Sequence, residues 1–175
     1  MSLRNKKIFF ILSIVVPFII YCTYYYGMMV KNAPYKFTEF KSIEFEYGTG
    51  DSLLNKFNSA TKQYQYVNSR DSVIKTQLYI SRDELLYLHR KAAELGFWDF
   101  PANEINNKDG KATPGITRYK IQFNYLRKTK TVLFDENFAG DPKLVDANNR
   151  LIKEIERVLN DAEVRTKKQQ ELLNK

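Results

Sequence analysis

The chain is poor in cysteine and histidine, and this scarcity excludes several kinds of site. It contains one cysteine and one histidine in 175 residues. Cys22 lies in an apolar segment, so the rest of the chain has no pair of cysteines for a disulfide, and we expect its hydrophobic core alone to stabilise it. A metal site built on histidine normally uses several ligands. We therefore expect His89 to have a structural or surface role.

Sequence motifs for catalysis and for cofactor binding are also lacking. The chain has no Gly-x-Ser-x-Gly nucleophile motif and no glycine-rich phosphate loop. The segment between Ile105 and Ile116 matches a calcium-binding loop at Asn107, Asp109 and Gly110, but an isoleucine stands at each end, where the pattern needs carboxylates. A turn is the better interpretation of this segment. We predict no enzyme activity, no bound metal and no cofactor.

Charge is missing from one long stretch, which runs from Ile8 to Val30. As a helix this stretch is roughly 34 Å long, and the hydrocarbon core of a bilayer is about 30 Å thick. It also lacks the polar face that a helix of a soluble domain shows at helical spacing. Tyrosines crowd its C-terminal end, as in the aromatic belts of membrane helices. The stretch predicts a membrane-spanning helix over residues 8–30, which would make the lipid bilayer a partner.

Two other interpretations of this stretch are a cleaved signal peptide and a lipoprotein signal. Signal peptidase requires small residues one and three positions before the cut. Cys22, Thr23 and Gly27 do not have that spacing. Lipoprotein signals have small residues directly before the cysteine, whereas Tyr21 precedes Cys22. We favour an uncleaved anchor over both alternatives.

Basic residues near the ends of the span predict its orientation. Arg4, Lys6 and Lys7 precede the span, and three lysines follow it by position 41, so the contrast is small. Large domains translocate largely regardless of charge, whereas a short basic head is retained in the cytoplasm. We predict that the domain after the span lies outside the cytoplasm. The abundance of Lys, Asn, Ile, Tyr and Phe is similar to that of low-GC bacteria, so we predict the bacterial inner membrane.

After the span, apolar and polar residues alternate with a period of two. In KSIEFEYGTG, apolar and aromatic residues alternate with glutamates from Ile43 to Tyr47, which predicts a half-buried strand. Weaker strand signals follow at 52–57, 63–67 and 73–80, separated by turn residues. Short strands at this spacing predict an antiparallel meander.

The period then changes to that of a helix. Ser81 and Glu84 have the capping-box spacing, leucines and alanines follow at helical spacing, and Gly96 predicts the helix end. A loop is expected over 102–115. The segment ITRYKIQFNYLRKTKTVLF predicts a hairpin that turns near Arg127 and Lys128.

A second helix is predicted to start at Asp141 and Pro142, which have the types preferred at a helix N-terminus. The element order predicts an α+β fold: an antiparallel sheet of about six strands with two helices packed on one face. The predicted domains are a basic head (1–7), the membrane anchor (8–30), a connector (31–42), the α+β domain (43–162) and a polar helical tail (163–175).

The element order includes a helix ending in LGFWDFP, a late hairpin and a capped final helix. This order resembles that of a group of uncharacterised envelope-associated bacterial domains. The resemblance covers residues 43 to 159. It implies a small exported α+β domain and supplies no catalytic residues.

Two sets of side chains are candidates for a binding surface. A solvated sheet face is the simpler interpretation of the basic residues on the hairpin, and contact with anionic lipids or an acidic partner is the functional one. For the aromatic residues that follow the helix starting at Ser81, the simpler interpretation is packing in the core, and the functional one is an exposed binding patch. The candidate residues are Arg118, Lys120, Arg127, Lys128, Lys130, Trp98 and Phe100.

Three functions are compatible with these features. The first hypothesis is a binding or scaffolding protein of the cell envelope with a protein partner there. The second is an inhibitor or immunity-type protein that neutralises one partner at the membrane, and the third is a hydrolase with two carboxylates.

Without the four basic residues of the first 31 positions, the net charge of +8 falls to +4. That mild excess does not indicate nucleic-acid binding.

Overall fold

The computed structural model describes residues 3–31, 35–107 and 109–173. The chain divides into two compact units, Met1–Tyr35 and Lys36–Lys175. The first two residues of the predicted head, residues 32–34 of the predicted connector and the last two residues of the predicted tail lie outside the described residues.

The first unit is a single helix, α1, which spans Leu3–Lys31 and includes Pro17. The hydroxyls of Ser13 and Thr23 donate hydrogen bonds to the carbonyls four residues earlier, at 2.9 Å and 2.8 Å, so neither is left without an acceptor. The segment Phe9–Tyr26 makes α1 long and apolar enough to cross a membrane. It is the one such helix in the part of the chain that the structure describes.

The second unit contains a seven-stranded sheet in the order β4-β3-β2-β1-β6-β7-β5. Neighbouring strands are antiparallel, except that β5 is parallel to β7. The strands are β1 (Phe40–Thr49), β2 (Asn55–Asn58), β3 (Gln63–Val67), β4 (Val73–Gln77), β5 (Asn103–Glu104), β6 (Thr117–Tyr125) and β7 (Thr129–Asp135).

Two long helices accompany the sheet, α2 (Arg82–Glu94) and α3 (Pro142–Leu173), with short 3-10 turns at Phe37–Glu39 and Phe97–Asp99. The Ser81 side chain caps α2 in a capping box with Glu84, as predicted. Gly96 follows the helix with φ of 77°, a left-handed conformation that glycine adopts at little cost.

One face of the sheet carries the core, because strand residues alternate in direction and the apolar set faces the helices. In the register, Phe45 pairs with Ile121 and Ile121 pairs with Val132, so these side chains lie on one face. Helix residues that are buried with them include Leu88, Ala92, Leu151, Ile155, Val158 and Leu159. The two helices also contact each other, where the Tyr87 hydroxyl donates to Glu154 at 2.8 Å.

The predicted fold class is confirmed, with two differences in detail. The sheet has seven strands and is mixed, because β5 lies inside the predicted 102–115 loop and pairs in parallel with β7. Strand β1 begins at Phe40, within the predicted connector. The described part of the predicted helical tail is a continuation of α3 to Leu173, and within it Lys167 pairs with Glu163 at 2.7 Å.

Candidate functional site

The sheet has a second face that is polar, which we call the open face. The side chains that point to it alternate with the core residues along each strand. The register aligns Glu46 with Lys56 on one side and Lys120 on the other. The apolar residues Val67, Val73 and Leu133 also have positions on this face. The polar residues of the open face are Ser42, Glu44, Glu46, Lys56, Asn58, Gln63, Gln65, Lys75, Gln77, Lys120, Gln122, Asn124, Thr129 and Thr131.

A groove of about 360 Å³ lies on the open face across β1 to β4. Glu46, Lys56, Gln65 and Lys75 are neighbours in one row across the four strands. Glu44, Asn58 and Gln63 are neighbours in the next row. The groove therefore offers hydrogen-bond donors and acceptors of both kinds, with little net charge.

Glu46 is the best-anchored charge of the groove. Its carboxylate accepts a hydrogen bond from Lys120 Nζ at 2.7 Å and lies 3.5 Å from Lys56 Nζ. Burial raises the pKa of Glu46, but the hydrogen bonds and charges of Lys120 and Lys56 outweigh burial and hold this pKa below its usual value. Glu46 is thus held as a carboxylate, which accepts hydrogen bonds and does not act as a proton donor.

The amides beside the groove are fixed by a hydrogen-bond network. The Asn124 amide nitrogen donates to Ser42 Oγ at 3.0 Å and to Glu44 Oε1 at 2.9 Å. Gln122 in turn donates to Asn124 Oδ1 at 2.9 Å and accepts from the Thr131 hydroxyl at 3.1 Å. Side chains held in this way lose little conformational entropy when a ligand binds.

Arg118, the first of the predicted basic residues, is buried in the domain. Its guanidinium makes two hydrogen bonds to Asp135, at 2.6 Å and 3.0 Å. It also donates to Asp51 at 3.2 Å and to the Gly110 carbonyl at 2.8 Å. This arrangement joins β6, β7 and two loops, so the contacts of Arg118 are structural.

The other predicted basic residues lie in three separate places. Lys120 is on the open face with Glu46. Arg127 and Lys128 are at the tip of the β6–β7 hairpin, where Arg127 lies 3.5 Å from Glu39. Lys130 points to the helix side, because it pairs with a core residue of β6. The structure therefore does not bring the five basic side chains into one row.

The predicted aromatic residues belong to the core cluster below the end of α2. Phe100 is buried, and the half-buried Trp98 has its ring centroid 5.2 Å from that of Phe123. His89 is also buried here, with Nδ1 2.8 Å from the Tyr125 hydroxyl. Burial, followed by the charge of Arg90, lowers the pKa of His89. These contacts are those of a core plug, the first of the two interpretations from the sequence.

A buried carboxyl group lies on β5, the edge strand of the sheet beside β7. Glu104, on β5, is 0% exposed and accepts a hydrogen bond from the Asn148 amide of α3. Glu104 Oε1 and Asn148 Oδ1 have no hydrogen-bond partner among the described residues. Burial raises the pKa of Glu104 to about 7, although the Asn148 hydrogen bond and the charge of Lys130 act against it. A protonated, neutral Glu104 is less costly to bury at this position than a carboxylate.

The groove is not recognisable from the sequence. Lys56, Gln65 and Lys75 are the polar partners in strands whose alternation is weak, and no motif marks them. Only their alignment across four strands makes one surface of them. The register of the meander was therefore the missing information.

Metal binding and relatives give no further indication of function. Within residues 3–31, 35–107 and 109–173, no cluster of three or more His, Cys, Asp and Glu residues is arranged to hold a metal ion. In comparisons with protein-family models, curated proteins and solved structures, no match to the chain was found.

Proposed function

We propose that the protein is a single-pass membrane-anchored binding protein of the bacterial cell envelope, whose extracytoplasmic domain recognises a protein partner through the open face. The observation that carries the proposal is the one-sided sheet: helices cover one face, and the other holds a polar groove of about 360 Å³.

The chemistry of the groove indicates what kind of segment it binds. Amides and charges of both signs line it together with Phe57 and Tyr64, so a polypeptide segment that offers donors and acceptors fits better than a wholly apolar or strongly charged ligand. Because Glu46 is already paired with two lysines, its charge is neutralised before a partner arrives. Binding then depends mainly on hydrogen bonds and shape.

The role of α1 in this proposal is to hold the domain at the membrane. Anchoring restricts diffusion to two dimensions and raises the effective concentration of a membrane partner, which favours a domain of modest affinity. The basic residues before the span support a cytoplasmic head and an external domain.

Anchor and orientation are tested together in spheroplasts that produce the full chain with a C-terminal tag. We expect the tag to stay in the membrane pellet after a carbonate wash and to be digested by protease added outside. A tag that is protected until the membrane is permeabilised would place the domain in the cytoplasm. Loss from the pellet would show that α1 does not anchor the chain.

Recognition through the open face is tested by photo-crosslinking in intact cells. A photoreactive residue at Gln65, in the groove, is expected to give discrete adducts, and one at the exposed Arg150 of α3 is the matched control. Equal adducts from both positions would reject the open face as the binding surface. A single adduct of fixed stoichiometry would favour an inhibitor or immunity-type protein over a scaffold with several partners.

A further inference from the structure

The end of the sheet at which the chain enters the second unit also carries the tip of the β6–β7 hairpin. Phe40, the first residue of β1, pairs with Tyr125, the last residue of β6. The Leu126 backbone N–H donates to the Glu39 carbonyl at 2.9 Å. The hairpin tip and the residues that precede β1 are therefore neighbours in space.

This end of the domain exposes basic side chains around one apolar side chain. Leu126 is 61% exposed, and the Arg127 side chain is 81% exposed. Lys36 and Lys41 are exposed beside them, and Lys41 occupies the irregular position of β1 between Phe40 and Ser42. Lys128, which follows Arg127, is half-buried. We call the set Lys36, Lys41, Leu126, Arg127 and Lys128 the hairpin-tip patch.

The charge balance of this region is positive. Glu39 lies within the patch and is 3.5 Å from the Arg127 guanidinium, so it neutralises part of that charge. Arg82 adds a further cation, with its guanidinium carbon 6.0 Å from the centre of the Phe37 ring. Asp83 follows Arg82 and is exposed. The cations of this end outnumber its carboxylates.

We propose that the hairpin-tip patch docks on the anionic lipid headgroups of the membrane that α1 crosses. This proposal rests on the proposed role of α1 as an anchor. Arginine and lysine side chains bind lipid phosphates, and an exposed leucine between them reaches the boundary of the acyl chains, as in other interfacial segments. In the hairpin tip, the exposed Leu126 is followed directly by the basic residues Arg127 and Lys128.

The length of the connection makes such contact geometrically accessible. Five residues, 32–36, separate the end of α1 at Lys31 from the 3-10 turn at Phe37. Six residue steps extend to roughly 20 Å at most. A connection of this length permits the patch, which lies beside the point where the chain enters the domain, to reach the surface of a membrane that α1 crosses.

The test uses the full chain in lipid nanodiscs, with Cys22→Ser and Leu126→Cys carrying an environment-sensitive fluorophore. Nanodiscs of phosphatidylcholine alone are compared with nanodiscs that contain phosphatidylglycerol. We expect a blue shift and quenching by spin-labelled lipids in the anionic discs, and we expect high salt to reverse both, because screening weakens exposed charge contacts.

Charge-reversal variants make the test specific. The variant R127E/K128E is expected to lose the shift in anionic discs, because each basic residue near such a surface contributes roughly fivefold to partitioning. The variant K111E/K143E makes the same change in net charge at two exposed lysines away from the tip and is expected to keep the shift. If R127E/K128E does not fold, as judged by its melting curve, R127Q/K128Q replaces it.

The outcomes separate this proposal from the proposed function. A chain that stays in the nanodisc and gives the same signal in both lipids would overturn docking and leave the anchor intact. Equal loss of the shift in both charge-reversal variants would also overturn docking, because it would show a general charge effect. A chain that does not stay with the lipid would overturn both the anchor and docking.

Discussion

Replacing Glu104 with glutamine is expected to make the domain more stable at pH 8 and to change it little at pH 5. Glutamine has the shape of a protonated glutamate, and its side-chain oxygen can accept the hydrogen bond that Asn148 Nδ2 donates. At low pH the wild-type carboxyl is protonated and therefore neutral, as the glutamine is. At high pH the wild-type protein has to bury a carboxylate, and the variant does not.

The magnitude follows from the pKa of Glu104. Burial raises this pKa from 4.5 to about 7, with Asn148 of α3 and Lys130 of β7 acting in the opposite direction. The folded protein then binds the proton more tightly than the unfolded chain, so this contribution to stability is present below pH 4.5 and is lost as the pH rises through 7. The full loss is about 3 kcal/mol, because one pH unit of pKa change corresponds to about 1.4 kcal/mol.

The assay is thermal unfolding of the full chain in one detergent at pH 5 and pH 8. Other titrating groups contribute equally to the unfolding free energies of variant and wild type, so their contributions disappear from the difference between the two. We expect that difference to grow by about 2 to 3 kcal/mol between the two pH values, which is a change of several degrees in Tm. Glu136→Gln, at an exposed position after β7, is the control and should give less than about 0.5 kcal/mol. A difference that is independent of pH, or a variant less stable at pH 8, would refute a neutral Glu104.

Three further changes test structural contacts by the same melting assay. Asp135→Ala should cost about 3 kcal/mol, because it removes both hydrogen bonds of the buried Arg118 to its carboxylate on β7, and the double replacement R118M/D135L should recover most of that loss. Ser81→Ala should cost about 1 kcal/mol through loss of the helix cap, and a change near zero would contradict the capping box. The stability of the wild type should fall as the pH drops below 6.5, because the folded-state pKa of His89 is lowered. His89→Gln should abolish this part of the fall.

The sequence predicted those parts of the fold that depend on local patterns. Alternation from Ile43 to Tyr47 identified the face of β1 that is buried, because side chains of a strand alternate between its two faces. The capping box at Ser81 and the glycine at position 96 marked both ends of α2, because backbone groups at helix ends need these partners. These signals act over a few residues, so one sequence contains them in full.

Features that depend on distant pairing were not predictable in this way. Strand β5 has two residues, Asn103 and Glu104, and such a segment has no measurable period. The burial of Arg118 depends on Asp51 and Asp135, which are far from it in sequence, and a basic residue on a polar strand face is normally expected to be solvated. The site residues were therefore harder to assign than the strands that carry them.

The β6–β7 hairpin shows why the basic residues were difficult to place. The Tyr125 N–H donates to the Lys128 carbonyl at 2.9 Å, which closes a turn with two residues at its tip. This turn pairs Phe123 with Lys130 and directs Lys130 to the helix side, where its ammonium group donates to the Phe100 carbonyl. A register shifted by one residue would put Lys130 on the open face. The length of the turn, and not the composition of the strands, decides which cations the open face presents.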